Sequence, residues 1–158
     1  MPRLALGGDY GVEDLRAGFS LDLWASVRSV GEVLLDNRTP DGRGFALRAI
    51  EGNAVEIIWN DGRTESRWAS DPGSIQAGTP QHICAIVDGG PKIITFVIDG
   101  KLNDGGDARQ FGWGRYNPYL RSVNGAPQLR IGQGVKQVRI YDRALRTSEA
   151  VAAFHSGR

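Results

Sequence analysis

The sequence predicts an all-β fold of two antiparallel sheets packed as a sandwich, closed by one short C-terminal helix. Three observations carry this expectation. Short apolar runs alternate with a period of two residues. The breaks between them carry the Gly, Asn, Asp and Pro that tight turns need. Glycine supplies 22 of 158 residues, about 14% where roughly 7% is usual, as expected of many strands joined by many turns. A chain of this length can bury one two-layer core without disulfides, and no repeat or linker interrupts it, so residues 1–158 are read as one domain.

The strands follow in order. In FSLDLWASV, residues 19–27, Phe19, Leu21, Leu23, Ala25 and Val27 share one face, and Ser20, Asp22, Trp24 and Ser26 share the other. The first set faces the core; Trp24 on the second packs beneath a loop or the terminal helix. GEVLLDNR, GFALRAI and NAVEIIWN come next, separated by TPDGRG and EGN. Asn60-Asp61-Gly62 then joins EIIW to RTESRW as a hairpin. Trp59 shares parity with Val55 and Ile57 and is read as a core residue. HICAIVD and KIITFVID flank Asp-Gly-Gly-Pro in the same manner and are apolar on both faces, which places them in mid-sheet. Asp99 in IDG is a turn residue. After LRIG and VKQVRIYD, TSEAVAAF offers a Thr or Ser cap with Glu149 in the first turn of a helix.

Residues 103–126 fit neither periodicity and form a loop whose length calls for a role. Other functions are disfavoured by composition. The net charge of +1 has no long run of one sign, which argues against nucleic acid. Arginine outnumbers lysine 16 to 3, a bias of composition that also supplies planar bidentate donors. Cys84 is the single cysteine, set in an apolar strand with His82 two positions away, and is read as a buried inert thiol. The first fifteen residues lack the pattern of a secretion signal, and no apolar run reaches the length of a membrane span.

With these landmarks in place, GFSLDLWASV, DGRGFALR, FVIDGKL, LRIG and VRIYDRALRTSEA resemble, in order, the core strands of laminin-G-like, or concanavalin A-like, domains. Two positions depart from that pattern. Thr79, Pro80 and Gln81 stand where the family often has Trp, and Lys136 and Gln137 stand where it often has an acidic pair. The resemblance implies a jelly-roll sandwich whose ligands sit on the concave face or rim loops. It implies a glycan-binding module attached to a glycoside hydrolase, extracellular or periplasmic within its parent, and in many members a structural calcium ion. For calcium the sequence offers only the loop acids Asp88, Asp104 and Asp107, without a spaced ligand loop.

A glycoside hydrolase needs two carboxylates about 5–10 Å apart, and the six glutamates, at 13, 32, 51, 56, 65 and 149, are scattered without an alternating acidic strand. Binding is better served. Sugars present CH-rich faces and hydroxyl edges, matched by aromatic platforms and planar hydrogen-bonding groups. The long loop has both in DARQFGWGRYNPY. Trp113 and Arg115 are expected ligand contacts, joined by Arg109 and Tyr116, while Phe111 is read as pinning the loop to the sandwich. Asp36 and Arg38 form a second candidate cluster, with a turn cap as the alternative. The resulting expectation is a non-catalytic module for a polysaccharide, with β-fructan such as levan as the first ligand. A protein-interaction or adhesion domain is the alternative, and a hydrolase the third reading.

Overall fold

In a computed structural model, residues 18–120, 125–126 and 128–156 are described. The N-terminal stretch read above, Glu13, and residues 121–124 of the long loop lie outside them.

Eleven strands and one helix are present among the described residues: β1 (Phe19–Ser26), β2 (Val33–Asp36), β3 (Gly44–Ile50), β4 (Ala54–Asn60), β5 (Glu65–Ala69), β6 (Pro80–Asp88), β7 (Ile93–Ile98), β8 (Lys101–Leu102), β9 (Gly114–Arg115), β10 (Arg130–Ile131), β11 (Val135–Tyr141) and α1 (Thr147–Ser156). One sheet runs β11-β1-β6-β7-β8, with β9 also pairing with β7; the other runs β10-β2-β3-β4-β5. Every pairing is antiparallel. The expected jelly-roll sandwich is the observed architecture, including its C-terminal helix.

The inward faces interdigitate as the alternation requires. Phe19, Leu21, Leu23 and Ala25 of β1 meet Phe45, Leu47, Val55, Ile57 and Trp59 of the facing sheet in one buried cluster. Trp59 is fully buried, its ring edge-on to Phe19 at 5.8 Å. The two strands that are apolar on both faces, β6 and β7, lie inside their sheet. The outward Cys84, Ile86 and Val97 form a second cluster with Leu145 and Ala150 beneath α1. Trp24 stacks on Phe154 of that helix at 5.7 Å. The polar face of β1 is therefore covered as well: Asp22 is buried and meets the buried His82 Nε2 at 2.6 Å, and the Ser20 hydroxyl donates to Arg143 O and accepts from Leu145 N. Burial, with the nearby Asp22 charge, pushes the Cys84 thiol well up, as an inert core thiol requires.

Three turns show how local chemistry sets register. Asp99 and Gly100 both take positive φ, 51° and 74°, which closes the two-residue turn between β7 and β8. The Asp99 carboxylate then accepts from Gln81 Nε2 and His82 N. In the β4–β5 hairpin Gly62 supplies the positive φ of 95°. The β6–β7 turn departs from expectation, because neither glycine of Asp-Gly-Gly-Pro carries the positive torsion; Lys92 does, at 62°. The helix start also differs. Glu149, not a Thr or Ser hydroxyl, satisfies the open end by accepting from Arg146 N. Hydrogen bonds from the Arg143 side chain and from that backbone N–H bring its carboxyl down to about 2.

Candidate functional site

The aperiodic loop crosses from β8 in one sheet to β5, the edge strand of the other. Its first half is tied down by two side chains near that edge. Trp68 Nε1 donates to Gly112 O at 3.1 Å, and Gly114 passes so close to the indole that an added Cβ would collide with it. Glycine is required there by contact. The Arg109 guanidinium lies 4.3 Å from the Trp68 ring centroid, donates to Ala69 O at 3.0 Å, and pairs with Asp71 at 2.7 Å. Asp71 also accepts from Gly105 N, and its own N–H donates to Asn103 Oδ1. Phe111 is 47% exposed and stacks on Trp113 at 5.0 Å, so the pin expected at Phe111 is supplied by Trp68.

The second half turns back to the first sheet. β9 pairs Ile93 with Arg115 and Ile94 with Gly114, and Tyr116 N donates to Lys92 O at 3.1 Å. Together they build an open pocket of about 460 Å³ lined by Pro91, Lys92, Trp113, Arg115, Tyr116 and Pro118, with Ile93 behind. Trp113 is partly exposed and Arg115 exposed. Tyr116 is only 3% exposed; its ring meets Trp59 edge-on at 4.9 Å and joins pocket to core. The Tyr116 hydroxyl is buried with no hydrogen-bond partner among the described residues. Burial, reinforced by the Asp88 charge, pushes this phenol up to about 12, so it remains a neutral donor.

Three of the expected site residues, Trp113, Arg115 and Tyr116, therefore share one pocket. Arg109 does not line it; its guanidinium is held over Trp68 by Asp71 and Ala69 O. Lys92 was absent from the expectation. Its position after Asp-Gly-Gly-Pro marked a turn, and only the pairing of β9 with β7 brings it to Arg115.

Asp36 and Arg38 lie elsewhere, on the outer face of the second sheet. Arg130, Asp36, Ala46, Ile58 and Arg67 stand in register across its five strands. Asp36 takes a two-point contact from Arg38, at 3.1 and 3.0 Å, and Arg130 at 3.0 Å. Burial raises the Asp36 carboxyl, but the Arg38 hydrogen bonds and the two positive charges outweigh it and hold it below the usual range. Arg48 pairs with Glu56 at 2.9 Å and Arg67 with Glu65 at 2.8 Å. The acids on this face are thus engaged by arginines.

The loop acids do not converge. Asp88 accepts from Gly90 N in the β6–β7 turn, and Asp104 from Gly106 N. Among the described residues no group of three or more His, Cys, Asp or Glu side chains is arranged to hold a metal ion. Asp88, Asp104 and Asp107 accordingly do not fit the calcium site that the resemblance implies. No helix is long and apolar enough to cross a membrane among the described residues.

The fold and the rim pocket define a class, the antiparallel lectin-type sandwiches. The model of the concanavalin A-like lectin/glucanases superfamily matches residues 8–151, and the chain belongs to that family. Among solved structures, the CBM40 of the Ruminococcus gnavus IT-sialidase, bound to α2,3-sialyllactose, superposes with a TM-score of 0.65 at 11% identity, covering 98% of both chains. The binding domain of botulinum neurotoxin serotype D gives 0.67 at 10% identity over 89% of this chain. The type G receptor-binding domain gives 0.61 at 14% over 88%. This chain spans 37% and 38% of those two toxin domains. At such identities the likeness is one of fold. A search of curated protein sequences finds no match.

Proposed function

We propose that the chain is a non-catalytic glycan-binding module that holds a parent polysaccharide-degrading enzyme on its substrate. The observation that carries this reading is the convergence of Trp113, Arg115 and Tyr116 on one pocket of about 460 Å³. An indole offers a platform for the CH face of a sugar ring, and a guanidinium makes planar hydrogen bonds to its edge. The pocket is open, and it is the guanidinium and ammonium beside the indole, rather than its shape, that favour a sugar over a protein surface. The Ruminococcus module, bound to a sialylated sugar on the same fold, adds support by analogy.

Although burial raises it, the arginine contacts hold the Asp36 carboxyl below its usual range, which argues against it as a proton donor, a role that needs a raised carboxyl. On the outer face of the second sheet Asp36 and Arg38 form a second contact surface for a longer chain. Retardation in gels containing polysaccharide tests the reading, with β-fructan such as levan first in the panel. Retardation by at least one glycan, lost in Trp113→Ala with the fold intact, is expected. Loss of the reading follows if no polysaccharide retards the protein, or if Trp113→Ala migrates like the wild type. Release of reducing ends from any panel member would revive the hydrolase reading.

A further inference from the structure

The polar side chains of the rim pocket are unbalanced in a way that bears on its ligand. Lys92 and Arg115 are donors only, and the Tyr116 phenol is a neutral donor; no carboxylate or amide side chain lines the pocket. Elsewhere Arg38, Arg48, Arg67, Arg109 and Arg130 each have a carboxylate within 4.0 Å, whereas other described surface arginines do not. Among the described residues neither Lys92 nor Arg115 has one. Asp88 on the same hairpin accepts from the Gly90 N–H and is not part of the lining. Lys92 Nζ stands 6.0 Å from the centroid of the Tyr116 ring, whose buried hydroxyl has no protein partner.

A neutral sugar hydroxyl both donates and accepts, so a pocket whose polar side chains are chiefly donors leaves sugar protons unmatched. A carboxylate or sulfate only accepts and takes charge-assisted hydrogen bonds from both cations. We infer that the rim pocket recognises an acidic sugar, its anionic group received by Lys92 and Arg115 while Trp113 carries the ring. The inference rests on the glycan-binding reading above and adds the charge of the ligand, favouring an acidic glycan over neutral β-fructan.

Calorimetry on the full chain at low salt compares trigalacturonate, its methyl ester, a sulfated galactose oligosaccharide, a levan oligosaccharide and a poly-glutamate peptide. A carboxylated or sulfated sugar should bind about tenfold or more tighter than the neutral ester, the scale of one charge-assisted contact. The comparison of trigalacturonate with the sulfated sugar shows which anion is preferred. Arg115→Gln and Lys92→Asn, the latter chosen because asparagine tolerates positive φ, should each remove most of the preference for the acid over its neutral ester. Equal affinity for acid and ester, or no effect of either cation variant, overturns the inference while leaving the glycan reading standing if Trp113→Ala still abolishes binding. Absence of binding by every sugar removes both, and binding of poly-glutamate alone assigns the cations to an acidic peptide and overturns the proposal.

Discussion

Arg109 and Arg115 occupy the same loop, six positions apart, yet they behave as different residues. Arg109 lies over Trp68 and donates to Ala69 O and Asp71. Arg115, exposed on a two-residue strand, has no carboxylate partner among the described residues and lines an open pocket. The first half of the loop is braced against β5, and the second lines the open pocket. A guanidinium paired with a carboxylate and a backbone carbonyl stabilises the fold, whereas one without a carboxylate partner at an open pocket keeps its charge available. Such a division fits the rule that binding groups need rigid support.

The largest test of the contrast falls on the scaffold. Trp68→Ala removes a ring packed against the core together with the hydrogen bond to Gly112, and should cost about 3 kcal/mol in urea denaturation. Trypsin should then cut the loop at Arg109 faster than in the wild type. A loss below about 1 kcal/mol would show that the loop is held by something other than Trp68.

Next is the arginine pair itself. Arg109→Gln should cost about 2 kcal/mol, the scale of hydrogen bonds to a charged, partly buried group, while Arg115→Gln should stay within about 0.5 kcal/mol. Equal costs would erase the distinction between the halves. Tyr116→Phe sharpens it further. Removing a buried hydroxyl without a protein partner should leave the urea midpoint unchanged or raise stability by about 1 kcal/mol. A clear destabilisation would mean that the hydroxyl serves the fold and not the pocket.

The smallest effect lies at α1, far from this contrast in sequence and useful as a control on it. The Glu149 carboxyl falls from 4.5 to about 2 on folding, so its contribution is complete above 4.5 and is lost as pH drops through about 2. The stability difference between the wild type and Glu149→Gln should therefore be constant near neutrality and vanish at about pH 2, with ligand binding near neutrality unaltered. A difference that persists unchanged at about pH 2 would show that the carboxylate is not its source.

The strands were legible because their information is local. Alternation in β1 named its core face, Trp59 declared its burial through parity with Val55 and Ile57, and Asp99-Gly100 announced its turn. Legibility failed where the signal was contact. Phe111 and Trp68 are both aromatic residues near turns, and nothing local shows that Trp68 receives the loop while Phe111 is left half-exposed. Gly114, beside Trp113 in sequence, is demanded by the indole of a residue 46 positions earlier.

The sandwich, its core faces and its terminal helix follow from periodicity and turn chemistry, which act over a few residues and can be read along the chain. Which arginine braces the loop and which is left without a carboxylate at the pocket was decided by the fold, as was the arrival of Lys92 beside Arg115. Those outcomes depend on β9 pairing with β7 and on Asp71 meeting Arg109 across 38 positions. A side chain's free donors are what remains after its partners are counted, and those partners are assembled only in three dimensions.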